Sequence, residues 1–292
     1  MKDHLIRATA LGGKVRAFAV QTTELVNELS RRHGTMPTAT AALGRTLTAG
    51  AMMGAMLKGE EKLTIQVKGD GPIGQIVVDA NAHGEVRGYV TNPSVDLPLN
   101  PIGKLDVAGA VGRDGFLYVT KDLGLKEPYR GGTPIVSGEL GEDFTYYFAK
   151  SEQTPSAVAL GVLVNTDYTV KAAGGFILQL LPGLSEEEIE EMEKKLSALP
   201  PITTLLEQGA TLEQILTSIT EDVDVKDSLD IVFRCKCSRE RVEQTLMSLG
   251  REELTAILEE DKKAEVTCHF CNEVYTFTEK EIEEIRDRIE IQ

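Results

Sequence analysis

The sequence predicts an α+β protein with three parts: a core built on a largely antiparallel sheet, an acidic helical linker, and a small C-terminal four-cysteine zinc module. Three observations carry this. Residues 63–90 read as a strand–turn–strand–turn–strand meander. After Gly183 the strand-like alternation gives way to short amphipathic helices rich in carboxylates. The only cysteines, Cys235, Cys237, Cys268 and Cys271, form two close pairs confined to the last quarter of the chain. The expected units are 1–183, 184–231 and 232–292.

In the core, Lys14–Thr22 reads as a strand, followed by a helical pattern to about Arg32. A second helix is expected over Thr38–Lys58, rich in Ala, Gly and Met. Met52, Met53 and Met56 could form an adaptable binding face, but Met is a common filler of core gaps and the packing role is favoured. Leu63–Val67 is a strand running into Gly69-Asp70-Gly71-Pro72-Ile73-Gly74, which matches G-x-G-x-x-G. A dinucleotide site needs a helix after those glycines. Here Ile76–Asp79, the turn Asn81–Gly84 and Val86–Val90 continue the meander, so the glycines are turn residues. Further strand-like pieces are Phe116–Thr120, Tyr168–Ala172 and Phe176–Leu180, with an apolar run at Ser156–Val164 and a helical pattern near Glu142–Lys150. Strands segregated from helices favour α+β. Pro182-Gly183 closes the region.

In the linker, Ser185 and Glu188 form a capping box, with Leu184 and Ile189 spaced as a hydrophobic staple. Ile189, Met192 and Leu196 make an apolar stripe that ends at Pro200-Pro201. A second helix opens at Thr211 and carries Leu212, Ile215, Leu216 and Ile219 on one face. Residues 184–231 hold 13 Asp/Glu against 3 Lys. Short helices with that self-repulsion are stable only while their stripes are docked on an apolar surface.

The C-terminal module reads as a strand over Leu229–Phe233, the first ligand pair and a helix from Ser238 to Leu249 with Gly250 as its stop. A short helix near Leu254–Leu258, a strand carrying the second pair, and a last helix capped by Thr278 and Glu281 follow. Two close cysteine pairs separated by a long insert suit a tetrahedral four-thiolate zinc site. Buried thiols or disulfides would explain neither the pairing nor its confinement to one segment, and a disulfide scaffold suits a short secreted domain. His269 lies between two ligands, but four thiolates already close the site and leave it a bystander. Arg234, Lys236, Arg239 and Arg241 around the first pair either favour thiolate or are ordinary surface charge.

Composition narrows the function. A net charge of −15 and a pI near 4.8 argue against a nucleic-acid partner, which would require Lys/Arg neutralisation of phosphates. Met1–Arg7 carries charges where a signal peptide needs an apolar run, and Ala157–Val164 is too short to span a bilayer. A soluble protein of a reducing cytosol is expected, with no membrane partner. No G-x-x-x-x-G-K-[ST] occurs, so ATP use is unsupported. Four thiolates leave no open position for a catalytic water, which argues against an enzyme.

Taken with Gly69–Gly74, Val86–Val90, Lys121–Tyr129 and Ser151–Val158, the C-x-C, thirty residues, C-x-x-C arrangement resembles the redox-regulated 33 kDa chaperonins, the heat-shock protein 33 family, along essentially the whole chain. The resemblance implies a bacterial cytoplasmic, ATP-independent holdase, inactive while reduced and zinc-bound through Cys235, Cys237, Cys268 and Cys271. It further implies that oxidation forms the disulfides Cys235–Cys237 and Cys268–Cys271, releases zinc and unfolds the module and linker. Clients and the dimer contact would then fall to the core domain, the active form being a homodimer that passes unfolded clients to an ATP-dependent foldase. The competing reading of the residues is a constitutive zinc-ribbon interaction module without a redox switch.

Overall fold

The computed structural model describes residues 2–289. The chain divides into two compact units that meet in sequence between Arg234 and Cys235.

The larger unit opens with β1 (His4–Ala10), a 3-10 turn, β2 (Val15–Gln21), α1 (Thr23–His33) and α2 (Pro37–Gly54). The sequence reading did not anticipate β1, whose apolar residues are interrupted by Arg7 and Thr9. It pairs along its whole length with β2. Buried along nearly its full length, α2 carries Met52 and Met53 inside the core, which bears out their packing role. Its small residues allow close approach: a Cβ on Gly50 would lie 2.7 Å from Val78 Cγ1.

The meander follows as β3 (Lys62–Lys68), β4 (Gln75–Asn81) and β5 (Glu85–Val90). Gly69–Gly74 is the turn between β3 and β4, where the Gly71 N–H donates to the Val111 carbonyl at 3.0 Å. No helix starts there, as expected. The core continues with α3 (Val107–Val111), β6 (Phe116–Asp122), β7 (Tyr129–Pro134), α4 (Gly141–Lys150), β8 (Ser156–Val164) and β9 (Val170–Leu180). The two pieces expected over 168–180 are one strand; Gly174 and Gly175 interrupt its apolar pattern without breaking its pairing with β8 and β2.

Next come α5 (Glu186–Ala198), α6 (Ile202–Glu207) and α7 (Leu212–Thr217), then two strands, β10 (Asp224–Asp230) and β11 (Val232–Phe233). One sheet has the order β10-β1-β2-β9-β8 and the other β11-β5-β4-β3-β6-β7. All pairings in them are antiparallel except β11 with β5. The expected first strand of the C-terminal module, Leu229–Phe233, therefore belongs to the larger unit and is split between its two sheets. Buried Ile231 makes the step, donating its N–H to the Asp3 carbonyl at 3.2 Å. The physical reason is the open edge of β1: β10 satisfies backbone groups that would otherwise be unpaired. The acidic segment after Gly183 is thus helical only as far as α7.

The smaller unit comprises α8 (Arg239–Ser248), α9 (Arg251–Glu260), the hairpin β12 (Lys263–Thr267) and β13 (Val274–Thr278), and α10 (Glu279–Arg288). Its core is small: Val242, Leu246, Leu254, Leu258, Phe277, Ile282 and Ile285. Thr278 and Glu281 form the expected capping box at the start of α10. A unit of about 60 residues buries too little apolar surface for comfortable stability without a staple.

Candidate metal centre

The four cysteines sit on two backbone knuckles of the smaller unit. Cys235 and Cys237 precede α8, whose first turn is capped by the Ser238 hydroxyl accepting from the Arg241 N–H at 3.3 Å. The Arg241 guanidinium reaches back to the Lys236 carbonyl at 2.7 Å, tying α8 to the first knuckle. Cys268 and Cys271 occupy the turn of the β12–β13 hairpin. There the Cys268 N–H donates to the Glu273 carbonyl and the Asn272 N–H to the Cys268 carbonyl, at 2.9 and 2.8 Å. Asn272 adopts φ 59°, a left-handed conformation that Asn tolerates better than most residues.

These knuckles bring the four sulfurs within 4.8 Å of one another. Cys235 Sγ lies 3.7 Å from Cys268 Sγ, and Cys237 Sγ 3.3 Å from Cys271 Sγ. All four are free thiols. A tetrahedral zinc with Zn–S near 2.3 Å spaces its sulfurs about 3.8 Å apart, so the donor set and its dimensions fit that ion. A disulfide would need about 2.05 Å. His269 is not part of the group.

Burial works against ionisation of Cys235, but the Cys237 backbone N–H and the neighbouring thiols more than offset it and lower its pKa to about 7. Burial pushes Cys237 and Cys271 upward. Two of the arginines near the first pair, Arg234 and Arg239, are engaged elsewhere. Arg234 pairs with Glu85 at 3.2 Å, while Arg239 pairs with Glu281 at 2.6 Å and stacks 4.2 Å from the Phe277 ring centroid. That favours ordinary surface charge for these two, whereas Arg241 braces the first knuckle. One neighbour escaped the sequence reading: the Tyr275 hydroxyl on β13 donates to Cys237 Sγ at 3.2 Å. That hydrogen bond raises the tyrosine pKa. Only the alternating Val-Tyr-Thr-Phe run could have hinted that Tyr275 faces the thiols.

A second feature lies within the larger unit. One face of the β10-β1-β2-β9-β8 sheet presents Ile6, Ala8, Val15, Ala17, Phe176 and Leu178, and it is covered by Met192, Ile202, Leu212, Ile215, Leu216 and Ile219. Of the expected linker stripes, Leu196 is also packed there, half-buried, whereas Ile189 is not in the cluster. Sequence reasoning missed α6. Its Ile202 is seated over β8 at Gly161, where a Cβ would fall 2.6 Å from Ile202 Cγ2.

Comparison with known proteins gives a single answer. The model of the Hsp33 protein family matches residues 3–278. The chain belongs to the Hsp33 family. It is 56% identical over 292 residues to the 33 kDa chaperonin of Geobacillus sp. (strain WCH70), covering 99% of each chain, and 57% identical over 284 residues to that of Bacillus cereus (strain AH187), covering 97% of this chain and 98% of the relative. The crystal structure of the 33 kDa chaperonin (heat shock protein 33 homolog) from Thermotoga maritima superposes with a TM-score of 0.94 at 40% identity, over 100% of both chains. Membership of Hsp33 places the chain among chaperones, and its relatives carry the names of chaperonins, not enzymes. Among the described residues, no helix is long and apolar enough to cross a membrane.

Proposed function

We propose that this protein is a redox-regulated, ATP-independent holdase of the bacterial cytoplasm. In the reduced state Cys235, Cys237, Cys268 and Cys271 hold one zinc ion, and the protein does not bind clients. The observation that carries the reading is the gathering of four free thiols at zinc-site dimensions in a unit whose apolar core is too small to stand alone. Bound zinc supplies on the order of 10–16 kcal/mol of folding free energy, comparable to the whole stability of a domain.

Oxidation then acts as an unfolding switch. Each disulfide takes two electrons from a pair of zinc-bound thiolates, and one hydroperoxide accepts them together with two protons from solvent, its O–O bond breaking to give water and an alcohol, or two waters from hydrogen peroxide. The pairs are Cys235–Cys237 and Cys268–Cys271, an assignment that rests on the family resemblance. Two of the short sulfur contacts, Cys235–Cys268 and Cys237–Cys271, run across the knuckles. Bonds within each knuckle draw sulfurs that lie within 4.8 Å together to about 2.05 Å and withdraw both ligands of that knuckle from the zinc, which couples oxidation to loss of the staple.

Unfolding of residues 235–289 frees the preceding linker, and release of α5–α7 uncovers the apolar sheet face that captures unfolding proteins. The active form is a homodimer, and clients pass on to an ATP-dependent foldase. The test is light scattering from a heat-aggregating client, with zinc release followed in parallel. Suppression of scattering only by the peroxide-treated, zinc-free protein is expected. Equal suppression by both forms would remove the redox regulation, and no suppression by either would remove the holdase.

A further inference from the structure

We infer that Tyr275 is a positioning residue that restrains the reaction of Cys237 with oxidant, setting how readily the first knuckle opens. The inference rests on the redox reading above and adds to it a residue outside the four ligands. Tyr275 sits on β13 opposite Val266 of β12, and its ring packs half-buried against the small core of the unit. The hydroxyl is thereby held on Cys237 Sγ at 3.2 Å. That sulfur is also 3.3 Å from Cys271 Sγ. The hairpin that carries the second knuckle thus also controls a sulfur of the first.

The chemistry follows from where the lone pairs point. In the reaction with a hydroperoxide, a sulfur lone pair attacks one peroxide oxygen, the O–O bond breaks, and the departing oxygen takes a proton to leave as water or alcohol. The sulfenic acid at Cys237 then condenses with the Cys235 thiolate, forming the S–S bond and expelling hydroxide, which takes a proton from solvent to leave as water. An O–H donor on the sulfur withdraws electron density from the attacking lone pair and occupies one direction of approach. Hydrogen bonds of this kind tune thiolate ligands and orient them on a metal. Removing the hydroxyl while keeping the ring leaves packing intact and frees the sulfur.

The experiment compares wild type, Tyr275→Phe and Tyr275→Leu, each full-length, reduced and zinc-loaded. Zinc release under hydrogen peroxide is followed with a chromogenic chelator, and the alkylation rate of Cys237 by iodoacetamide is followed by mass spectrometry. Tyr275→Phe should accelerate both by roughly 10-fold, the low end of the change expected for loss of a supporting contact to a ligand. A packing role instead predicts that Tyr275→Phe matches wild type and only Tyr275→Leu is fast, which would overturn the inference. Slower reaction in Tyr275→Phe would overturn it equally. If wild type itself keeps its zinc under peroxide, the switch reading falls, and the alkylation rates still decide the role of Tyr275: a faster Tyr275→Phe upholds it and equal rates overturn it.

Discussion

Ile202 rests directly on Gly161, with no room between them for a side chain: a Cβ at position 161 would come within 2.6 Å of Ile202 Cγ2 and 2.8 Å of Thr203 Cγ2. Gly161→Val should therefore lift α6 off β8. Overpacking of this kind costs about 1–3 kcal/mol. The expected outcome is loss of hydrogen-exchange protection over residues 202–207 in the reduced protein, with zinc content unchanged. Protection equal to wild type would show that α6 is not seated by this contact.

Leu216 is fully buried in the same interface. Leu216→Ala should weaken docking of α7 by about 2–5 kcal/mol, the usual range for a truncated core leucine. Reduced, zinc-loaded Leu216→Ala is expected to bind an apolar fluorescent dye and to suppress client aggregation in part without oxidant. A variant that stays dye-silent and inactive would mean that the sheet face under α7 is not the capturing surface.

Cys271 is the most buried of the four thiols. Cys271→Ser, or stripping the wild type with a strong chelator, should unfold residues 235–289 and leave the larger unit folded. Circular dichroism should show loss of α8, α9 and α10, and hydrogen exchange should become rapid there while α2 stays protected. Retention of those three helices after metal removal would contradict a zinc staple.

Asp3 supplies a pH test. Its carboxylate is 2% exposed and accepts the Leu25 N–H at 2.7 Å, while Oδ1 has no partner. Burial raises its pKa from 3.8 to about 6 against the pull of backbone N–H groups. The folded state therefore holds its proton more tightly than the unfolded state, and stability falls as pH rises from about 4 to 6. The cost above that window is up to about 3 kcal/mol. Asp3→Asn removes this titration. Between pH 4 and 7, the stability of the larger unit in urea should fall further for wild type than for the variant, by up to that amount. Parallel pH profiles would show that Asp3 does not titrate in this window.

Much of this was legible because it is local. The capping boxes at Ser185 and Thr278 each lie within four residues and form as expected, and the helix expected to open at Thr211 does so. The stripes on α5 and α7 marked most of the docking face, because helical periodicity survives wherever one side is buried. β1 was not legible, since its alternation over Ile6–Ala10 is short and rests on small alanines next to the charged Arg7, a weak strand signal until β2 and β10 pair with it. α6 was hidden because, unlike the equally short α7, it opens without a side-chain cap directly after Pro200-Pro201, and its seat is defined by the absence of a side chain at Gly161.

The sequence by itself determined the four-thiol cluster, the metal chemistry that suits it and the acidic, docked character of the helices after Gly183, because each depends on residue type and short spacing. The tertiary structure alone decided that β10 closes the edge of β1, that Ile231 steps between two sheets, and that Tyr275 donates to Cys237. The physical reason is that periodicity encodes which face of an element is apolar. It does not encode which distant element that face meets, and a strand edge or a single hydroxyl acquires its partner only when the chain has folded.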